Sequence, residues 1–134
     1  MDTRRIEEYL EVIYVLSLNG RPRVREIARR LCIKPSSVVE FLKKLASEGY
    51  IVYEKGGKIT LTEKGLEIAQ NVYRKHQILV EFLESLGVPQ NIAEEDACKI
   101  EHFLHSETVK KIREFLASQR SQFSRQSYAR RYSS

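Results

Sequence analysis

The stretch Ala97-Cys98-Lys99-Ile100-Glu101-His102 carries a thiol, a carboxylate and an imidazole at helical spacing. At 100° per residue, Cys98, Glu101 and His102 fall within one arc of about 100°. Packing alone asks for no such mixture of Lewis bases, whereas a borderline divalent transition metal does. Three ligands from one segment leave coordination positions to fill. Candidates elsewhere are Glu8 and Glu11, one helical turn apart near the N-terminus, and His76 in an apolar-periodic stretch. These six side chains are the candidate metal site.

The elements that must carry them can be read from periodicity and breakers. Residues 3–18 form an amphipathic helix with Ile6, Leu10, Ile13 and Ser17 on one face and Tyr9 and Leu16 beside it, ended by Asn19-Gly20. Glu8 and Glu11 then lie next to Val12 and Val15, so their carboxylates are expected to be partly buried, which is costly unless a cation or donor offsets the charge. The plain alternative is a solvated pair of glutamates. A short helix follows over residues 24–31 with Val24, Ile27, Ala28 and Leu31 inward, then a tight turn Cys32-Ile33-Lys34 in which Cys32 reads as a small core residue. Pro35 suits the first turn of a helix, where its missing N–H is not needed. That helix buries Val38, Phe41, Leu42 and Leu45 and stops at Gly49 in a left-handed cap. Residues 50–53 and 58–61 read as two strands joined by a two-residue Gly56-Gly57 turn. Helix, turn, helix and two-stranded wing make a winged helix-turn-helix.

Such a unit binds DNA through its second helix and its wing. Lys34, Pro35, Ser36, Ser37, Glu40, Lys43 and Lys44 lie at or on the exposed side of that helix, within reach of base edges or phosphates in a major groove, and Lys55 and Lys58 flank the wing tip. Each lysine taken singly is as well explained as a solubilising charge; the order of elements carries more weight. After the wing, a long helix over residues 62–86 breaks at Gly87-Val88-Pro89, a second covers 91–104 and a last one 108–116. Ile100, Phe103, Leu104, Ile112, Phe115 and Leu116 offer more apolar surface than so short a region can bury, and a homodimer interface is the natural outlet. The organisation expected is mainly α: a winged-helix domain over residues 1–70, a helical metal-binding and dimerisation domain over 71–117, and a basic, disordered tail over 118–134 that touches phosphates non-specifically.

Charge agrees with that division. The chain's net charge of +5 separates into 13 Lys/Arg against 10 Asp/Glu in residues 1–70, 6 against 8 in 71–117, and 4 against none thereafter. A basic front suits a polyanion and an acidic middle suits cations. At 134 residues and 42% hydrophobic composition the chain can build a real core. No apolar run suits a membrane and no leader is visible, so a cytoplasmic protein is expected, its two cysteines reduced.

Five motifs in this order, Glu-Tyr-Leu-Glu-Val-Ile-Tyr (8–14), Lys-Pro-Ser-Ser-Val (34–38), Leu-Thr-Glu-Lys-Gly (61–65), Arg-Lys-His (74–76) and Cys-Lys-Ile-Glu-His (98–102), resemble the metal-dependent transcriptional repressors that include the diphtheria toxin repressor and the manganese transport regulator. The resemblance covers residues 7–116. It implies a metal site between the winged helix and a dimerisation domain, and recruitment of the dimer to double-stranded operator DNA. By the same resemblance one ion is held by Glu8, Glu11, Glu101 and His102 and a second by Glu11, His76, Cys98 and Glu101, with a single-ion variant open. Cys98 stands where the manganese branch has a carboxylate and the iron branch a cysteine, while Glu8 and Glu11 follow the manganese branch, so the chain is a hybrid. The iron branch's further Glu and His ligands are replaced by Val80 and Glu94, and its C-terminal SH3-like domain has no counterpart in this sequence. Mn(II) or Fe(II) is the expected cofactor, one or two per chain, with Co(II) or Zn(II) able to substitute in vitro because one thiolate softens the set.

Two other classes fit less well. A dinuclear metallohydrolase would use similar ligands, but no nucleophile or substrate pocket is legible, and the chain is expected not to be an enzyme. A metal-independent winged-helix regulator would leave Cys98, Glu101 and His102 as structural residues.

Overall fold

The structure is a computed structural model that describes the backbone of residues 2–132 and the side chains of residues 2–120. It is mainly helical, in the order α1 (Thr3–Leu18), α2 (Val24–Leu31), α3 (Pro35–Ser47), β1 (Ile51–Tyr53), β2 (Ile59–Leu61), α4 (Glu63–Ser85), α5 (Gln90–Ile100) and α6 (Ser106–Tyr132). The chain divides into two compact units, residues 1–73 and 74–134, with the division inside α4.

The first unit is the expected winged helix-turn-helix. Asp2 caps α1 by accepting from the Arg4 N–H at 3.2 Å. The inner face of α1 buries Ile6, Tyr9, Leu10 and Ile13 against Ile27 and Ala28 of α2, Val38, Leu42 and Leu45 of α3, and Ile51, Ile59 and Ala69 beyond them. The Tyr9 ring meets Phe41 edge-on at 4.3 Å, and burial raises its hydroxyl pKa against the opposing pull of Arg5. Ser17, expected on this inner face, is exposed and donates to the Tyr14 carbonyl at 2.7 Å. Cys32 is also exposed rather than in the core. It closes α2 in the left-handed conformation (φ 56°), where the Ile33 N–H reaches back to the Ala28 carbonyl, and that reversal turns the thiol outward although both sequence neighbours are apolar.

Gly49 ends α3 as expected, at φ 81°, with the Tyr50 N–H on the Leu45 carbonyl. The strands pair antiparallel with Ile51 opposite Leu61 and Tyr53 opposite Ile59. Their connection is longer than the expected two residues: Glu54 N–H bonds the Lys58 carbonyl and Gly57 N–H bonds the Glu54 carbonyl, so Lys55, Gly56 and Gly57 all belong to the turn. The motif Leu61-Thr62-Glu63-Lys64-Gly65 buckles the wing to the helical core. Thr62 Oγ lies 2.7 and 2.9 Å from the carbonyls of Gly49 and Tyr50 and accepts from the Gly65 N–H at the start of α4, while Lys64 Nζ donates to the Glu48 carbonyl and sits over the Tyr50 ring. A Cβ on Gly65 would lie 2.0 Å from the Tyr50 carbonyl oxygen, so the close approach requires glycine.

In the second unit Leu79 and Val80 of α4 pack on Ala93 and Ala97 of α5, with Leu83, Val88, Leu104 and Ile112 around them. α5 stops at Ile100 rather than 104. Glu101 caps it, and a turn closed by the Phe103 N–H on the Ile100 carbonyl leads into α6. α6 is longer than the expected 108–116 and continues through most of the stretch read as a disordered tail: its Ala, Gln and Arg are good helix formers and no Gly or Pro interrupts it. Arg120, expected in that tail to meet phosphates, pairs with Glu81 of α4. The tail's side chains from residue 121 on lie outside the described residues.

Candidate metal centre and nucleic-acid interface

A carboxylate with no exposure to water is the most unusual group in the second unit. Glu101 is 0% exposed, although its apolar neighbours Ile100 and Phe103 are exposed at 37% and 64%. The inversion follows from the end of α5, where Glu101 still bonds its N–H to the Ala97 carbonyl and so stays on the inner face that the small Ala93 and Ala97 open towards α4. There Oε2 lies 2.8 Å from Nδ1 of His76, on α4. Oε1 has no hydrogen-bond partner among the described residues, and Nε2 of His102, itself buried, lies 3.3 Å from it. Burying an ionised carboxylate oxygen without a donor costs more than the roughly 2–7 kcal/mol of a neutral polar group unless a cation offsets the charge. One buried oxygen acid between two imidazoles is a donor set that suits a borderline divalent metal.

His76 makes a second contact that the sequence reading passed over. Its Nε2 lies 2.6 Å from Oε2 of Glu94, whose side chain is about half exposed. The signal was available: Glu94 precedes Glu101 by seven residues, two turns along the same face of α5. The thiol of Cys98, in the last turn of α5, is exposed.

The remaining two candidate ligands belong to the first unit. Glu11 is 9% exposed on α1, flanked by buried Leu10 and near Ile13. Glu8, half-buried one turn earlier, pairs with Arg4 at 2.9 Å. The expectation of partly buried carboxylates on α1 therefore holds more strongly for Glu11 than for Glu8.

The surface of the first unit is arranged quite differently. Lys34 precedes α3, Pro35 opens it, and Ser36, Ser37, Glu40, Lys43 and Lys44 are all exposed along it; Lys55 and Lys58 are exposed at the wing turn. The start of α3 has no side-chain cap among the described residues. Its first N–H groups and Lys34 together form an electropositive helix start of the kind that accepts phosphate oxygens. Arg21 and Arg23, not singled out in the sequence, join Lys58 around a groove between the wing turn and the start of α2.

Two family models match the chain. One, described as the iron-dependent repressor N-terminal DNA-binding domain, covers residues 1–58, and the other, the iron-dependent repressor metal-binding and dimerisation domain, covers residues 62–122. An uncharacterized HTH-type transcriptional regulator of Methanocaldococcus jannaschii is 44% identical over 117 residues, 85% of this chain and 94% of the relative. The HTH-type transcriptional regulator MntR of Lysinibacillus sphaericus is 38% identical over 113 residues, 84% of this chain and 81% of the relative. Among solved structures, the manganese regulator SloR is 30% identical with a TM-score of 0.71, the alignment covering 84% of this chain and 53% of that one. A manganese-dependent transcriptional repressor in complex with manganese gives a TM-score of 0.76 at 26% identity, covering 84% and 52%. The chain thus spans about half the length of these solved chains.

Proposed function

Because the chain belongs to the iron-dependent repressor family and is a metal-dependent transcriptional regulator, we propose that it binds double-stranded operator DNA as a homodimer when Mn(II) or Fe(II) is held by Glu8, Glu11, His76, Cys98, Glu101 and His102. The observation that carries this reading is Glu101, a fully buried carboxylate between two imidazoles with one oxygen that has no hydrogen-bond partner among the described residues. The resemblance supports the wider ligand set and a count of one or two ions per chain.

A bound ion supplies positive charge and a fixed coordination geometry. The chain's own residues do the rest. Glu8 and Glu11 belong to α1, the first helix of the DNA-binding unit, whereas His76, Cys98, Glu101 and His102 belong to α4, α5 and the turn after α5. Ligands drawn from both sets stiffen the chain, and clustered carboxylates that repel one another without a cation are neutralised. Lys34, Lys43, Lys44, Lys55 and Lys58 then anchor phosphates while Ser36, Ser37 and Glu40 meet the groove. Exposed Ile92, Phe103 and Phe115 support dimerisation through the second unit. Allosteric coupling of about 1–3 kcal/mol would change operator affinity roughly 5- to 150-fold, and bound DNA would tighten metal binding by the same factor. No described helix is long and apolar enough to cross a membrane, and action on DNA in the cytoplasm fits the reading.

The test is promoter-fragment binding by the purified metal-free protein at fixed salt, titrated separately with Mn(II), anaerobic Fe(II), Co(II) and Zn(II), with ion stoichiometry measured in parallel. Sequence-specific binding that tightens with one or two ions per chain supports the reading and ranks the metals. Equal binding in chelator overturns it.

A further inference from the structure

Within the second unit the imidazole of His76 is held at both nitrogens, Nδ1 by Glu101 at 2.8 Å and Nε2 by Glu94 at 2.6 Å. A metal takes a lone pair from one ring nitrogen, so only one of these contacts can survive when His76 serves as a ligand. The surroundings of the two carboxylates decide which. Glu101 is buried and its Oε1 has no hydrogen-bond partner among the described residues, so it has acceptor capacity to turn on an ion. Glu94, half exposed, is solvated on its outer side and loses nothing by keeping its place on Nε2–H.

The fold sets this arrangement. Ala93 and Ala97, both fully buried, let α5 approach Leu79 and Val80 of α4 closely. The seven-residue interval puts Glu94 and Glu101 two turns apart on the same face, about 10 Å along the axis. The ring of His76, projecting from α4, bridges that interval with one nitrogen to each.

We infer that Glu94 is a positioning residue that keeps the Nε2–H of His76 and thereby presents Nδ1, on the Glu101 side, to the metal. The inference rests on the metal-site reading above. A carboxylate on the far nitrogen of a ligating histidine fixes the tautomer and ring orientation and raises the basicity of the other nitrogen, and its removal typically weakens metal affinity about 10- to 100-fold.

The experiment uses the full chain with Glu94→Ala, Glu94→Gln and His76→Ala, each titrated with Mn(II) against a competing chelator. Long-range proton–nitrogen correlation spectra of histidine-labelled protein loaded with diamagnetic Zn(II) read the tautomer. Glu94→Ala is expected to weaken Mn(II) binding about 10- to 100-fold with the ion count per chain unchanged. Glu94→Gln, whose amide oxygen still accepts from Nε2–H, restores most of it, and wild-type His76 appears as the Nε2–H tautomer ligated through Nδ1. Unchanged affinity in Glu94→Ala, ligation through Nε2, or loss of an ion from the count overturns the inference, the last by making Glu94 itself a ligand. His76→Ala separates the two levels. If it too leaves binding intact, the metal-site reading has failed; if it alone weakens binding, only the positioning role has.

Discussion

The two units place their polar chemistry on opposite sides of their surfaces. In the first, the apolar residues close into a single core around Tyr9, Leu10, Ile13, Leu42 and Leu45, and the lysines and serines of α3 and the wing point to water. In the second, the carboxylate of Glu101 is fully withdrawn from water, where Glu11 of the first keeps 9% exposure, and the aromatic side chains Phe103 and Phe115 are exposed at 64% and 47%. The difference follows from the ligands each serves. A phosphate backbone is met from outside by solvated cations that give up little on binding, whereas a metal is held most firmly by oxygen and nitrogen donors already withdrawn from water. The first unit has an exterior that suits a phosphate backbone; the second has an interior that suits a cation and an exterior that suits a second copy.

The largest effect expected from breaking this contrast comes from Glu101→Ala. Removing the buried carboxylate should abolish the metal response of DNA binding altogether while the protein stays folded and dimeric, read by fluorescence anisotropy on a promoter fragment with and without Mn(II). A retained metal response would remove the second unit's interior from the mechanism. Next is Gly65→Ala, which attacks the first unit instead. With its Cβ 2.0 Å from the Tyr50 carbonyl oxygen, the substitution must move either the wing or α4. It should destabilise the winged helix by about 3 kcal/mol, the upper end of overpacking costs, seen as a lower Tm and a steep loss of DNA binding. An unchanged Tm would mean that the buckle formed by Thr62, Lys64 and Gly65 yields easily.

How legible each unit is in the sequence follows the same contrast. α1 and α2 begin and end where periodicity, Asn19-Gly20 and Pro22 put them, because local apolar spacing decides a helix that packs one face on a closed core. Where the reading failed, a non-local or conformational fact decided. Cys32 sits between two apolar residues yet faces water, because a left-handed residue reverses the direction of its side chain. The wing turn takes three residues, since strand pairing rather than the Gly-Gly pair sets where the ladder closes. In the second unit the types of Cys98, Glu101 and His102 announced metal chemistry, but nothing in the string told that Glu101 would be buried between exposed Ile100 and Phe103. Glu94 is legible as a missing histidine and in its seven-residue spacing from Glu101, but its contact with His76 depends on two alanines that let helices approach. α6 runs past its expected end because no Gly or Pro interrupts the polar stretch that follows Leu116.

The exposed apolar face of the second unit supplies a test of intermediate size. Phe103→Ser with Phe115→Ser should weaken the dimer, moving the sedimentation equilibrium towards monomer by at least about tenfold in dissociation constant, the equivalent of about 1.4 kcal/mol. Since Phe82 meets Phe115 at 6.2 Å, some loss of stability accompanies the change, and Phe103→Ser alone keeps the test interpretable. Persistence of the dimer would place its interface elsewhere than on these rings.

The smallest effect belongs to single cations of the first unit, and it sharpens the contrast because it should leave the second unit's chemistry untouched. Lys43 and Lys44 are solvated, so replacing either by Ala frees at most one phosphate and removes no packing. Affinity for a promoter fragment should fall only several-fold, with the slope of log K against log salt reduced by about 0.9 for each phosphate no longer neutralised. Mn(II) affinity and ion count should not change in the absence of DNA. The ratio of metal-loaded to metal-free DNA affinity should also survive, since a lysine on a phosphate positions the helix without taking part in the coupling. If the salt slope stays fixed, the lysine is a solubilising charge. If instead the slope falls and the metal response falls with it, the DNA-facing surface and the metal-binding residues are coupled through α3, and the division between an outward-working and an inward-working unit is too sharp.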